Sequence, residues 1–330
     1  MMKNIKLKPS IAFYLGSIIL LVISYFGLGY FADNIYYSKI IILLLINIIL
    51  AVSLNVTVGC LGQITLGHAG FMSVGAYTAA LLSKALMGNA SGNVPLHYYV
   101  ISLIAGAVMA GIIGIIVGIP ALRLRGDYLA IITLAFGEII RVLIEYFKFT
   151  GGGVGLSKIP KLARNINYTV VFWITVIAVV IMFAVMTSRH GRAVLAIRDD
   201  EIAAEASGVN ITYYKTFAFT LSAIFAGIAG GIYAHQFGII QAKSFDFNYS
   251  INILVMVVLG GMGSFTGAII SAVVLTILPE MLREFNDYRM IAYAIILILI
   301  MIFRPSGILG RSEFSLSKVL SKIKKGGKNE

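Results

Sequence analysis

Residues 189–215 read RHGRAVLAIRDDEIAAEASGVNITYYK. This is the longest polar interruption in an otherwise apolar chain, and it separates two greasy runs at 169–188 and 217–236. Its internal pattern predicts order. Asp199 and Asp200 are helix-capping residues, and Glu201 places negative charge in a first turn, where unpaired amides point. Ile202, Ala203, Ala204, Glu205 and Ala206 are mostly good helix formers. Gly208 supplies a left-handed stop, with Asn210 just beyond. The expectation is a short capped helix of about 12 Å between two membrane segments. Such a helix is either a rigid handle for another protein or a surface closure of the loop, and this stretch alone leaves both readings open.

Outward from that segment, composition sets the class. The 330 residues are 59% hydrophobic and 12% charged, with one cysteine and four histidines; a soluble domain carries about 25% charged residues. Several apolar runs reach the ~18–20 residues that cross a bilayer. The fold class expected is all-α, a polytopic membrane protein, whereas a β-barrel would show short alternating segments. Cys60 alone forms no internal disulfide, and the histidines show no metal-ligand spacing, so neither a metal nor a resident cofactor is expected. No phosphate loop of the G-x-x-x-x-G-K-[ST] kind and no nucleophile–histidine arrangement occurs, so the chain is not expected to be an enzyme.

The net charge of +12 is concentrated. Lys3, Lys6 and Lys8 precede the first span, Arg123 and Arg125 occupy one short connection, and Arg189, Arg192 and Arg198 lie in the polar segment. Lys318, Lys322, Lys324, Lys325 and Lys328 crowd the tail. The positive-inside rule places all four groups, and hence both termini, in the cytoplasm. The charge therefore sets topology and is no nucleic-acid surface. The tail, 311–330, is read as a basic cytoplasmic extension of a permease domain at 1–310. Phe314, Leu316, Val319, Leu320 and Ile323 suit it to a lipid surface, and a solvated tail is the competing reading.

Spans are placed near 11–31, 38–57, 64–86, 97–119, 128–147, 169–188, 217–236, 250–261, 265–283 and 289–303. That gives about eight to ten crossings, depending on whether 64–86 and 250–261 are broken or re-entrant. Lys158, Lys161 and Arg164 fall outside in this layout, a local exception to a statistical rule. Two stretches are rich in glycine: NVTVGCLGQITLGHAGFMSVGAYTAA (55–80) and LGGMGSFTGAIISA (259–272). Glycine permits close helix packing, and it also permits a backbone break at membrane depth where protein or water satisfies the freed groups. Polar residues accompany the glycines of the first stretch, so Asn55, Gln63, Gly67, His68, Gly70 and Gly75 are candidate residues of a substrate pathway. For the second stretch, packing is the expectation. Within 128–147, Glu138 and Arg141 stand three apart on one helix face, and Glu145 follows four later. A charge in the bilayer core costs roughly 2.5–3.5 kcal/mol, so these are expected to pair, with direct substrate contact the second reading.

Six segments together resemble a known family. LGQITLGHAGFMSVGAYTAALL (61–82), RLRGDYLAIITLAFGEIIR (123–141), GRAVLAIRDDEIAAEASGVN (191–210), MVVLGGMGSFTGA (256–268), LPEMLREFNDYRM (278–290) and RPSGILG (304–310) are similar, in order, to LivM-type permeases of branched-chain amino acid ABC importers. The resemblance implies two permease subunits (the second LivH-like), two ATP-binding cassette ATPases that use ATP, and an extracytoplasmic binding protein. It implies alternating access for leucine, isoleucine or valine, with a related importer for urea, amides or another small polar solute as the alternative. A secondary transporter or channel is the rival of a different class. The resemblance also assigns 189–215 as the loop that docks on the ATPase. Its general pattern is Glu-Ala-Ala, three residues, then Gly; Ala203, Ala204 and Gly208 match, while Ile202 occupies the acidic position and Glu201 precedes it. Asp200, Glu201, Ala203, Ala204, Glu205 and Gly208 are the implied coupling residues.

Overall fold

The computed structural model describes residues 24–30, 34–88, 93–124 and 126–283, with single positions between 288 and 310. The expectations for 11–23, for most of 289–303 and for the tail 311–330 lie outside the described residues. The stretch 24–30 is helical. The helices that follow are α1 (Ile35–Asn55), prolonged by a π-helical turn Val56–Cys60, α2 (His68–Leu86), α3 (Leu96–Ala121), α4 (Asp127–Tyr146) and α5 (Arg164–Thr187). After them come α6 (Arg189–Asp199), α7 (Glu201–Ala206), α8 (Ile211–Phe237), α9 (Phe247–Gly260) and α10 (Phe265–Met281). The described strands are β1 (Asn93–Val94) and β2 (Lys161–Leu162), paired in parallel with Asn93 opposite Lys161. The architecture is that of a polytopic all-α membrane protein. Four described helical segments are long and apolar enough to cross a bilayer: Ile35–Cys60, Leu96–Ala121, Ile166–Thr187 and Ile211–Phe237.

α1 is apolar on every side, so it is suited to the interior rather than to a surface. It runs through the middle of the bundle, buried along most of its length against α5, α8, α9 and α10. α5, buried along a much smaller share, stands at the periphery. The second half of the bundle is a tight trio of α2, α3 and α8. Its closeness follows from glycine. A Cβ at Gly106 would lie 2.7 Å from the Gly75 carbonyl oxygen, and one at Gly227 would lie 2.6 Å from the Ala110 Cβ. Without a hydrophobic drive between helices in lipid, such close approach supplies the packing.

One end of the bundle is closed by the Leu156–Ile240 bridge, by the Lys84 ammonium donating to the Ser157 carbonyl (3.1 Å), and by His235 Nδ1 donating to the Pro160 carbonyl (2.7 Å). At the other end the close of α1, the helices α6 and α7 and the start of α8 meet.

Boundaries differ from the sequence reading: α5 starts at Arg164 and α8 at Ile211, five and six residues before the expected spans. The third span, expected from residue 64, begins as helix only at His68. Residues 62–67 are irregular, and their amides find partners outside a helix: Gln63 N donates to the Thr57 carbonyl (3.1 Å) and Leu66 N to Thr133 Oγ1 (3.0 Å). Residues 189–199, which precede the short helix expected, form α6, whose Gly191, Val194 and Ile197 recur every three residues and are buried as one stripe. Asn210, read as part of a stop, is the N-cap of α8, its side chain accepting from Tyr213 N at 3.0 Å.

Candidate functional site

α7 is built by its caps. The Asp200 carboxylate accepts from Ile202 N and Ala203 N, both at 3.0 Å, and satisfies two amides that a helix start leaves unpaired. Gly208, at φ +85°, ends the helix; Val209 N then reaches back to the Ala204 carbonyl at 3.1 Å, closing a Schellman turn. Asp200, Ala203, Glu205 and Gly208 are exposed, and Ile202 is 76% exposed, an isolated large apolar side chain on a polar loop. Ala204, expected with its neighbours on the outer face, is buried instead. Glu201 turns inward to the Lys215 ammonium at 3.0 Å, which fastens α7 to α8; the lysine side chain is 3% exposed.

The first glycine-rich stretch is a real break, and most of its polar residues fasten it. Asn55 is fully buried and its Oδ1 accepts from Gly263 N at 2.9 Å, which ties the break to the turn between α9 and α10. His68 is buried with Nε2 2.9 Å from Ser53 Oγ. The Ser53 carbonyl in turn accepts from Ser222 Oγ at 2.7 Å. Gln63 is half-buried, and its Oε1 is a buried acceptor without a protein partner. Gly67 lies against the Thr133 carbonyl of α4, and a Cβ at Gly70 would stand 2.9 Å from Gly137 Cα. Gly75 is set apart from these: it sits where α2 meets α3 and α8, against the Gly227 backbone.

A narrow crevice lies where α2 and α9 begin. Leu66, Ala69, Gly70, Gly137, Glu138, Asp246 and Ser250 line it, and its walls leave no room for a water molecule. The two helix starts are joined by Ala69 N donating to Ser250 Oγ at 3.0 Å. Asp246 caps α9, accepting from Tyr249 N at 3.0 Å. Positive helix ends and two acidic side chains thus converge on one place. The paired charges of α4 run past it: Arg141 Nε donates to Glu138 Oε2 at 2.6 Å, and its Nη1 to Glu145 Oε2 at 3.3 Å.

Sequence reasoning missed Thr133, Ser250, Asp246 and Arg198. Asp246 carried a local signal, an acidic residue just before an apolar helical run. The other three act through contacts far apart in sequence, which no local pattern reveals.

A helical bundle with four described segments long and apolar enough to cross a bilayer is that of an integral membrane protein. The family described as branched-chain amino acid transport system / permease component matches residues 36–303, and the chain belongs to it. The chain is 38% identical over 301 residues to the high-affinity branched-chain amino acid transport system permease protein LivM of Salmonella typhimurium, covering 80% of this chain and 68% of that one. The LivM protein of Escherichia coli K12 is also 38% identical, over 81% of this chain and 68% of its own. The permease protein BraD of Pseudomonas aeruginosa is 28% identical, over 80% and 92%. No solved structure gives a significant match.

Proposed function

We propose that this chain is one permease subunit of an ATP-binding cassette importer for leucine, isoleucine and valine. The observation that carries the reading is α7: six residues, capped at both ends, with Ile202 76% exposed. Caps at both ends hold α7 rigid, and Ile202 gives its outer face an apolar contact for a partner. Ile202, Ala203 and Glu205 form the face toward an ATPase, and Asp200, Glu201 and Gly208 hold its shape. ATP is hydrolysed by two partner subunits, an extracytoplasmic binding protein delivers the substrate, and a second, LivH-like permease completes the pathway. In this arrangement both termini and α6–α7 face the cytoplasm.

The route runs through the crevice between α2, α4 and α9. A neutral amino acid carries a carboxylate and an ammonium. The starts of α2 and α9 suit the carboxylate, and Glu138 and Asp246 suit the ammonium. Gly67 and Gly70 set the width of the crevice, while Asn55, Gln63 and His68 hold the broken segment that forms one wall. The closed crevice fits one stage of an alternating-access cycle.

Uptake of labelled leucine by the reconstituted complex, in competition with urea and simple amides, tests this. ATP-dependent leucine uptake supports the reading; urea carried in place of leucine refutes the substrate, and uptake by this chain alone without ATPase refutes the importer. Orientation is tested separately, with Ser207→Cys in a Cys60→Ser background. Labelling by an impermeant thiol reagent from outside intact cells refutes it.

A further inference from the structure

Arg198 is the penultimate residue of α6, two before the cap of α7, yet its side chain leaves the loop and enters the glycine break. Its Nη1 donates to the Gly59 carbonyl at 3.0 Å, and its Nε and Nη2 are steadied by Asp199 Oδ1 at 3.2 and 3.1 Å. Gly59 belongs to the π-helical turn that ends this helix, beyond which the chain is irregular, so its carbonyl is among those that a helix end leaves without an intrahelical amide. The glycines around the guanidinium match it in shape. Gly62 holds φ +76°, and a Cβ there would fall 2.7 Å from Arg198 Cγ. A Cβ at Gly263 would fall 3.2 Å from Nη1. Gly263 is the residue whose amide Asn55 holds, so one guanidinium rests between the break after α1 and the turn before α10.

We propose that Arg198 is the positioning residue that carries displacement of the α7 coupling helix into the glycine break, through its hydrogen bond to the Gly59 carbonyl. The inference rests on the importer reading above. Its mechanical basis is rigidity on both sides of the contact. Val194 and Ile197 seat α6 in the core, and Asp200 stands in extended backbone between α6 and α7. A push on α7 therefore reaches the body at Glu201 on α8 and, through α6, at Arg198 on the break. Of these two, Arg198 bonds to the segment that must change shape for a route to open.

The test uses the complete importer in proteoliposomes and reads ATP hydrolysis and leucine uptake together. Arg198→Ala is expected to assemble and to hydrolyse ATP within about twofold of the parent while uptake falls at least tenfold, so that ATP consumed per leucine rises. Arg198→Lys, which keeps one charged donor, is expected to recover part of the uptake. Cys60, buried beside Gly59 and the chain's single cysteine, serves as a native reporter in the unaltered complex. Its alkylation, located by mass spectrometry, is expected to change rate when ATP is trapped with vanadate, and in Arg198→Lys to change less.

An unchanged ATP-to-leucine ratio in Arg198→Ala, or a Cys60 rate indifferent to nucleotide, overturns the proposal. A ratio that stays constant while both activities fall shows a purely structural contact and overturns it as well. Leucine uptake that ignores ATP in the parent complex refutes the importer reading instead, so the two failures are told apart.

Discussion

The pair Lys215–Glu201 yields the sharpest stability prediction, because its partners are unequally buried. The ammonium lies 3.0 Å from the carboxylate; the lysine side chain is 3% exposed and the glutamate 28%. Removing one partner of a buried pair costs about 3–5 kcal/mol when the remaining charge has no compensation. Glu201→Ala leaves a buried ammonium, so it is expected to cost about 3 kcal/mol, the low end because α7 is small and yields locally. Lys215→Met leaves a carboxylate that reaches water, and about 1 kcal/mol is expected. The cost falls on the local opening of α7 from the body rather than on global unfolding. At 1.4 kcal/mol per factor of ten, opening rises about a hundredfold in Glu201→Ala and about fivefold in Lys215→Met. The double variant is expected to recover about 2 kcal/mol of the larger loss, since the pair is then absent and no charge is stranded. Amide hydrogen exchange of the solubilised protein reads this at Ser207 and Val209, whose N–H groups donate to the Ala203 and Ala204 carbonyls at 3.0 and 3.1 Å. Equal losses in the two single variants, or additive losses in the double, would refute the reasoning.

Further outcomes test the other parts of the site. Ile202→Asp or Ala203→Arg should weaken ATPase co-purification at least tenfold with the chain still inserted, whereas Ala204→Arg should disturb the seat of α7 and raise its exchange. Gly75→Leu should prevent accumulation of folded protein, because its side chain would enter the Gly227 backbone. Gly70→Leu should accumulate to a larger extent yet lose leucine uptake; the reverse order would place the route elsewhere. Glu138→Gln should lower the thermal midpoint of the solubilised protein modestly, since Arg141 keeps Glu145 at 3.3 Å. Its exchange with Arg141, as Glu138→Arg with Arg141→Glu, should restore part of the loss, and no effect of either change would remove the pairing argument.

What the sequence reveals here is what is local. Apolar runs locate α1, α3, α5 and α8 because length and hydropathy alone decide whether a helix suits a bilayer. Asp200 and Gly208 announce α7 because a cap and a left-handed stop act within one turn. Glu138, Arg141 and Glu145 pair as their spacing demands. The failures are tertiary. Gly70 and Gly75 look alike in sequence, yet one faces α4 at the crevice and the other seats α8. Ala204 differs from Ala203 only in the side of a short helix it occupies. Asn210 reads equally well as the end of one helix or the start of the next, and the apolar run of α8 decides for the latter. Arg198 and Gly59 stand 139 residues apart, and no spacing rule joins them.

The charges on α4 bear on what surrounds this chain. Of the helix's 20 residues, only Leu129 and Thr133 are buried. Arg141 keeps 22% of its side chain exposed, Glu138 30% and Glu145 32%. Two acids and one base share the stripe, so pairing within the helix leaves one negative charge uncompensated. An ionised group set in hydrocarbon costs roughly 2.5–3.5 kcal/mol, whereas one facing water or a polar partner costs little. The stripe borders the crevice through Glu138, on the side where α2 and α9 begin. The arrangement that avoids the cost turns this face toward water or a polar partner, not toward lipid; on the importer reading proposed above, that partner would be the second permease. On that reading, the spare negative charge, shared between Glu138 and Glu145 about Arg141, would favour an ammonium near this face, while the helix starts opposite would favour a carboxylate.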